Sequence, residues 1–402
     1  MLLELPGSPS LTYCTDIHAG RTMPETRTNL VSAGQVRKKL GLGKPMGIGL
    51  CFSGQTADEL NQDNALEEFQ QNLAENGLYV FTVNAFSYGK FHGRSVKERV
   101  YQPDWTHSER LRYTDSAARI LGELLPEGTF GSISTVPCGF KKTVRSQQSI
   151  SRCALNLVDH AAGLIRMERE TGKRIALGLE PEPCCAIETF SEAISFFKEY
   201  IFSHWAKARI GSFCGLSEIE SERLLRRHLG ICYDICHAAV EFENPLQGLD
   251  ELRKAGISVP KIQLSAAIRC EDVCMDLVDE LLQFDHKTHL HQTFELNESV
   301  LTRYTDLPDA ISALKNGKAG GEWRIHCHIP LFASGSIGST RDVTASVLQH
   351  CRERPAAPHL EIETTAWSVL PEWVKGTDMT EDIAREMRWV QEKLGVDPGF
   401  GG

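Results

Sequence analysis

Asp234 and His237 stand three positions apart at the end of the apolar run Ile231-Cys232-Tyr233, within the stretch G-I-C-Y-D-I-C-H. A buried parallel strand that closes on a carboxylate, with an imidazole just beyond it, points two metal-type ligands at one place. A capped strand end followed by an ordinary loop histidine would leave the same trace. Other stretches of the same form tip the balance toward a site. Glu180 ends the run A-L-G-L, Gln263 lies in K-I-Q-L, His326 and His328 lie in R-I-H-C-H-I, and Glu363 ends H-L-E-I-E. Glu361 lies two residues before Glu363, so on a strand it faces the same way and deeper. One such residue is easily a helix cap. Five strand ends that all supply Glu, Asp, His or Gln point to a shared metal site.

Such a site needs elements that aim several strand ends at one point. The chain alternates apolar runs with amphipathic segments. Strands are expected at 11–17, 46–52, 78–83, 131–136, 174–179, 230–234, 261–264, 324–329 and 359–363, with helices between most of them. That order calls for a parallel sheet with right-handed crossovers, and eight or nine such units favour a (β/α)8 TIM barrel over an open sheet. In a barrel the C-terminal strand ends form the active face, where these polar residues fall. The segment 285–323 is polar, holds His289 and His291, and is expected to be a lid insertion. The Gly/Pro tail after 394 is expected to be loose. No repeat or linker divides the 402 residues, so 1–402 is expected to form one domain.

Composition narrows the function classes. Apolar residues make up 41% and charged residues 24%, enough for an ordinary core. The formal net charge is −10, which disfavours broad nucleic-acid binding. No apolar run is long enough to cross a bilayer, and residues 1–11 lack the basic start and long apolar stretch of a signal peptide. The thirteen cysteines form no C-x-x-C pair, which points to scattered core thiols and a reducing cytoplasm. Gly41-Leu42-Gly43-Lys44 lacks the spacing of a phosphate-binding loop. The run 334–340 could hold a phosphate on backbone N–H groups, although capping by Ser339 or Thr340 explains the same residues.

The motifs L-E-P-E-P, Y-D-I-C-H, I-Q-L-S and L-E-I-E-T resemble the xylose-isomerase-like barrel superfamily. That group includes sugar isomerases, ketose epimerases and the endonuclease IV type of nuclease. The resemblance implies one metal held by Glu180, Asp234, Gln263 and Glu363. It makes His237 the histidine of a D-x-x-H pair, and His326 and His328 a loop dyad for a second metal. One departure is Glu182, where xylose isomerases carry a lysine. More closely, Y-C-T-D-I-H-A-G, F-S-Y-G-K-F-H-G, H-L-H-Q-T, R-I-H-C-H-I-P and E-T-T-A-W-x-V-L-P together resemble EboE-type metabolite traffic proteins, over nearly the whole chain.

This donor set suits Mn, Mg or Zn. Such an ion polarises a carbonyl, and Glu180 and Glu363 could remove and return a proton through an enediolate. The implied substrate is a small hydroxy-carbonyl metabolite. His18, Lys90, His92, Lys141 and His291 are candidate substrate contacts, with a solvated loop charge the plainer reading for each lysine. A zinc phosphoesterase of the endonuclease IV type and a non-catalytic metabolite-binding barrel are the competing expectations. A homo-oligomer is compatible with all three.

Overall fold

The computed structural model describes residues 1–18, 22–62, 64–89, 97–285, 289–333, 335, 337–365 and 367–396. Seven strands alternate with helices over the first two thirds of the chain. They are β1 (Ser10–Tyr13), β2 (Met46–Cys51), β3 (Leu78–Asn84), β4 (Gly131–Thr135), β5 (Ile175–Leu179), β6 (Leu229–Asp234) and β7 (Ser258–Leu264). Five short strands follow: β8 (Ile268–Cys270), β9 (Thr293–Asn297), β10 (Val300–Tyr304), β11 (Glu322–Ile325) and β12 (Gly338–Ser339). The last strand, β13 (His359–Ile362), returns to the first sheet and is followed by the helix Met379–Leu394.

The first sheet is a (β/α)8 barrel. Its order is β1-β13-β7-β6-β5-β4-β3-β2, and every pairing recorded along it is parallel. A parallel bridge from Cys14 to Gly49 joins its two edges, and the Thr12 hydroxyl donates to the Gly47 carbonyl at 2.8 Å. Closure removes the exposed edges that an open sheet would leave. β2, β4, β5, β6 and β13 are buried at every residue, as expected for strands covered by helices outside and side chains inside.

The barrel floor explains one glycine. A Cβ at Gly49 would lie 1.6 Å from Oε1 of Glu361, so only glycine leaves room for that carboxylate. The other oxygen of Glu361 accepts from Lys261 Nζ at 2.6 Å, and both side chains are fully buried. Glu361 thus faces inward one layer below Glu363, as the strand period requires.

The inserted strands form a second sheet in the order β10-β9-β11-β8-β12, all antiparallel. They span Ile268–Ser339, wider than the 285–323 lid, with a core of their own that includes Trp323, Leu307, Leu281 and Phe284. The expected strand at 324–329 is corrected here. Only its first residues belong to a strand, β11, and that strand lies in the inserted sheet; 326–330 are irregular. Ile329 N–H bonds the Ala266 carbonyl, so the irregular segment is held against the barrel's top. Between β8 and β9 the described residues form only short helical turns, Met275–Leu277, Val278–Leu281 and Leu282–Phe284. β1 stops at Tyr13, and Thr15–Ile17 form a 3₁₀ turn.

Candidate metal centre

Glu180 is the first residue after β5, Asp234 the last of β6, and Glu363 the first after β13. Gln263 lies in β7, paired in register with Asp234 on one side and Glu361 on the other. The barrel therefore delivers these side chains to one end of its axis. Oxygen atoms of Glu180, Asp234 and Glu363 lie within 4.8 Å of one another, and all three residues are buried.

Asp234 caps a helix with one oxygen and leaves the other without a partner among the described residues. Its Oδ1 caps the helix Ile235–Val240, accepting from His237 N and from the Ser265 hydroxyl, each at 2.9 Å. Its Oδ2 is buried with no hydrogen-bond partner among the described residues. The same is true of Glu180 Oε2 and Gln263 Oε1. Glu363 Oε1 accepts from Asn84 Nδ2 at 2.7 Å and from Gln263 Nε2 at 3.3 Å. The Gln263 amide thus turns its hydrogen toward Glu363, and its oxygen is left buried without a donor. Buried oxygens without donors are costly, and here three belong to residues at the ends of neighbouring strands β5, β6 and β7.

The electrostatics agree. Burial, and then the negative charge of Asp234, pushes the Glu180 carboxyl well above the ordinary range. Burial, and then Glu180, does the same to Glu363. Burial also acts to raise Asp234, but His237 and His328 outweigh it and leave this group below its usual value. Three carboxylates in contact repel one another, and a divalent cation relieves that repulsion and satisfies the bare oxygens together. The residues therefore fit such an ion. Glu180, Asp234, Gln263 and Glu363 are the side chains able to hold it.

A histidine group adjoins the carboxylates. His237 Nδ1 donates to the Pro181 carbonyl at 2.9 Å, His328 Nδ1 to the Glu363 carbonyl at 2.9 Å, and His326 Nδ1 to Gln292 Oε1 at 2.8 Å. Each bond fixes a tautomer with Nε2 as the lone-pair nitrogen, the arrangement found in metal-ligating histidines. Burial lowers the His237 pKa to about 4; burial, then His237 and His328, depresses His326 well below its ordinary value. Both are therefore neutral near pH 7. Ligand atoms of Asp234, His237 and His328 lie within 4.8 Å of one another, as do those of Glu182, His237 and His326.

Glu182 joins this second group without a matching signal in the strand pattern. Tyr101 donates its hydroxyl to Glu182 Oε1 at 2.7 Å, and Gln292 Nε2 donates to the Tyr101 oxygen at 3.1 Å. Gln292 thus links Tyr101 to His326. Burial pushes the Glu182 carboxyl up to about 8. The only sequence trace of Glu182 is its place in L-E-P-E-P, where a lysine was the expected type. Asn84 ends β3, and a strand-end polar residue there was a signal of the same form as the others.

The other candidates separate. His291 lines the cavity above the carboxylates together with Asp16, His289 and Gln292. His18 is buried and bonds the Tyr13 hydroxyl through Nε2 at 3.1 Å; the cavity is lined instead by its neighbour Asp16. Lys141 pairs with Glu188 and, at 3.4 Å, with Glu192, and does not line the cavity. Lys90 and His92 lie outside the described residues. Thr340 does not cap the helix Arg341–Glu353; its hydroxyl accepts from Ala267 N at 2.8 Å, and Ser339 is in β12.

No family model matches the chain, and no curated protein matches it. Solved structures do. An L-ribulose 3-epimerase aligns over 96% of this chain and 95% of its own, with 10% identity and a TM-score of 0.51. A D-tagatose 3-epimerase-like protein covers 96% of this chain and 97% of its own at 13% identity and a TM-score of 0.47. The IOLI protein with a binding zinc atom covers 96% and 98% at 13% identity and a TM-score of 0.48. At 10% identity the likeness to the L-ribulose 3-epimerase is one of fold, and it agrees with the barrel described above.

Proposed function

We propose that this protein is a metal-dependent isomerase or epimerase of a small hydroxy-carbonyl metabolite. The observation that carries the reading is the buried Glu180–Asp234–Glu363 cluster at the barrel mouth, with partnerless oxygens on two of its members. The shared fold with an L-ribulose 3-epimerase supports the same class by analogy. The motif resemblance to EboE-type proteins supports a role in processing or moving a secondary-metabolite precursor. Thirteen free thiols, most of them buried, support a cytoplasmic setting.

When bound, a divalent Mn, Mg or Zn ion supplies carbonyl polarisation and neutralises charge that develops on oxygen. The chain's own residues do the rest. Glu180 and Glu363 arise from separate strands, β5 and β13, so each can face a different side of one substrate carbon. One takes the proton next to the carbonyl, and the other returns it. Asn84 and Gln263 hold Glu363 in place through its Oε1. His237, His326, His328 and Glu182 form the group able to hold a second ion. Segments flanking the inserted strands, 289–292 and 326–328, line the cavity beside these groups.

The histidine group also favours a second reading, a zinc phosphoesterase, because anchored imidazoles with free Nε2 atoms suit zinc. Hydrogen exchange separates the two. Metal-loaded protein incubated in deuterated water with a panel of ketoses and 2-hydroxy ketones is expected to place deuterium beside the carbonyl, read by proton NMR. Glu363→Gln is expected to slow this by roughly 10²–10⁴-fold, the usual worth of one acid–base group, with an unchanged circular dichroism spectrum. Wild-type exchange in that variant would contradict the assignment. Hydrolysis of a phosphodiester without any exchange would favour the second reading.

A further inference from the structure

The cavity above the carboxylates is lined by Glu180, Glu182 and Glu363 and by polar residues that include His289, His291 and Thr365, and its wall also includes four apolar side chains, Phe86, Val100, Leu290 and Val369. These four come from four separate segments: the loop after β3, the turn Lys97–Tyr101, the segment before β9, and the turn Trp367–Val369. Each is only half-buried, so part of each side chain stays open. Four independent segments presenting apolar surface to one opening make a poor match to a substrate that is polar all round.

The charges point the same way. No Lys or Arg lines the cavity among the described residues, while Asp16 adds a further carboxyl to it. Three nearby cations among the described residues have acidic partners of their own. Lys97 pairs with Asp306, Lys141 with Glu188, and Arg303 with Glu241. Arg110 is buried and donates to the Ala85 and Phe86 carbonyls, each at 2.8 Å. Among the described residues, a phosphate or carboxylate group in this cavity meets carboxylates and no Lys or Arg.

We propose that the substrate is a neutral hydroxy-carbonyl compound bearing an apolar substituent, not a sugar phosphate. The polar head meets the carboxylates and the substituent lies against Phe86, Val100, Leu290 and Val369. This rests on the isomerase reading for the chemistry of the head, and on the wall alone for the substituent.

Calorimetric titration of manganese-loaded protein tests it with three probes: D-fructose, D-fructose 6-phosphate and 6-O-octyl-D-fructose. The octyl ether is expected to bind at least tenfold more tightly than fructose, and the phosphate no more tightly than fructose. Leu290→Asp and Val369→Asp are each expected to cut the ether-to-fructose affinity ratio at least threefold. A phosphate that binds more tightly than the ether overturns the proposal, as does an ether advantage that survives both substitutions. Deuterium exchange into the same three probes is read separately. Ether preference without exchange sinks the isomerase reading and keeps the apolar wall; exchange confined to the phosphate does the reverse.

Discussion

His328 donates its Nδ1 hydrogen to the main-chain carbonyl of Glu363 at 2.9 Å. A side chain from the irregular segment after β11 is thus seated on the residue that follows the last barrel strand. The bond turns the imidazole's other nitrogen toward Asp234, 3.9 Å from its Oδ2. The inserted sheet is therefore part of the site's construction. Gln292 immediately precedes β9, and His326 and His328 follow β11, while the barrel supplies the carboxylates.

Asp234 has two separable duties, and substitutions can divide them. Asp234→Asn keeps an oxygen for His237 N and removes the charge. It is expected to lose bound metal while changing the melting temperature of the metal-free protein little. Asp234→Ala also removes the helix cap, and is expected to cost about 1 kcal/mol more in metal-free stability. Metal content by mass spectrometry and urea unfolding in chelator check both. Equal destabilisation by the two variants would contradict the division.

The Lys261–Glu361 pair lies fully buried beneath the site. Lys261→Met strands a carboxylate, and breaking a buried pair on one side costs roughly 3–5 kcal/mol. The double variant Lys261→Met/Glu361→Leu removes both charges and is expected to recover much of that loss. Urea unfolding of the single and double variants measures the coupling. A double variant as unstable as the single one would mean that packing, not charge, dominates here.

Glu386 gives a pH dependence away from the metal centre. It accepts from Leu331 N and the Thr364 hydroxyl, and burial pushes its carboxyl up to about 7. The folded protein thus holds a proton that the unfolded chain has lost above about 4.5. Stability falls as pH rises between those values, by on the order of 3 kcal/mol at pH 8 relative to acid. Glu386→Gln is expected to flatten that slope. The check is unfolding free energy against pH for wild type and variant, both in chelator; parallel curves would contradict it.

The barrel is legible in the sequence because buried parallel strands read as short, unbroken apolar runs. A-L-G-L before Glu180 and I-C-Y before Asp234 are such runs, and the charged residue that ends each is the one the site uses. The inserted sheet is not legible in this way. β10 reads V-L-T-R-Y and is largely open to solvent, so no period marks it as a strand. R-I-H-C-H-I alternates like a strand, yet its ladder ends at Ile325, where the chain turns down to the barrel top. Tyr101 and Gln292 are 191 residues apart, and only the tertiary fold joins them. Glu182 depends on that contact, which explains why its place in the site could not be read locally.

The central claim is that Glu180, Asp234, Gln263 and Glu363 hold a divalent cation. Crystals grown with manganese and measured at a wavelength where it scatters anomalously test this most directly. The account predicts an anomalous peak among the three carboxylates, roughly 2.0–2.3 Å from an oxygen of each. An ordered site without any such peak, in crystals saturated with the ion, would contradict it.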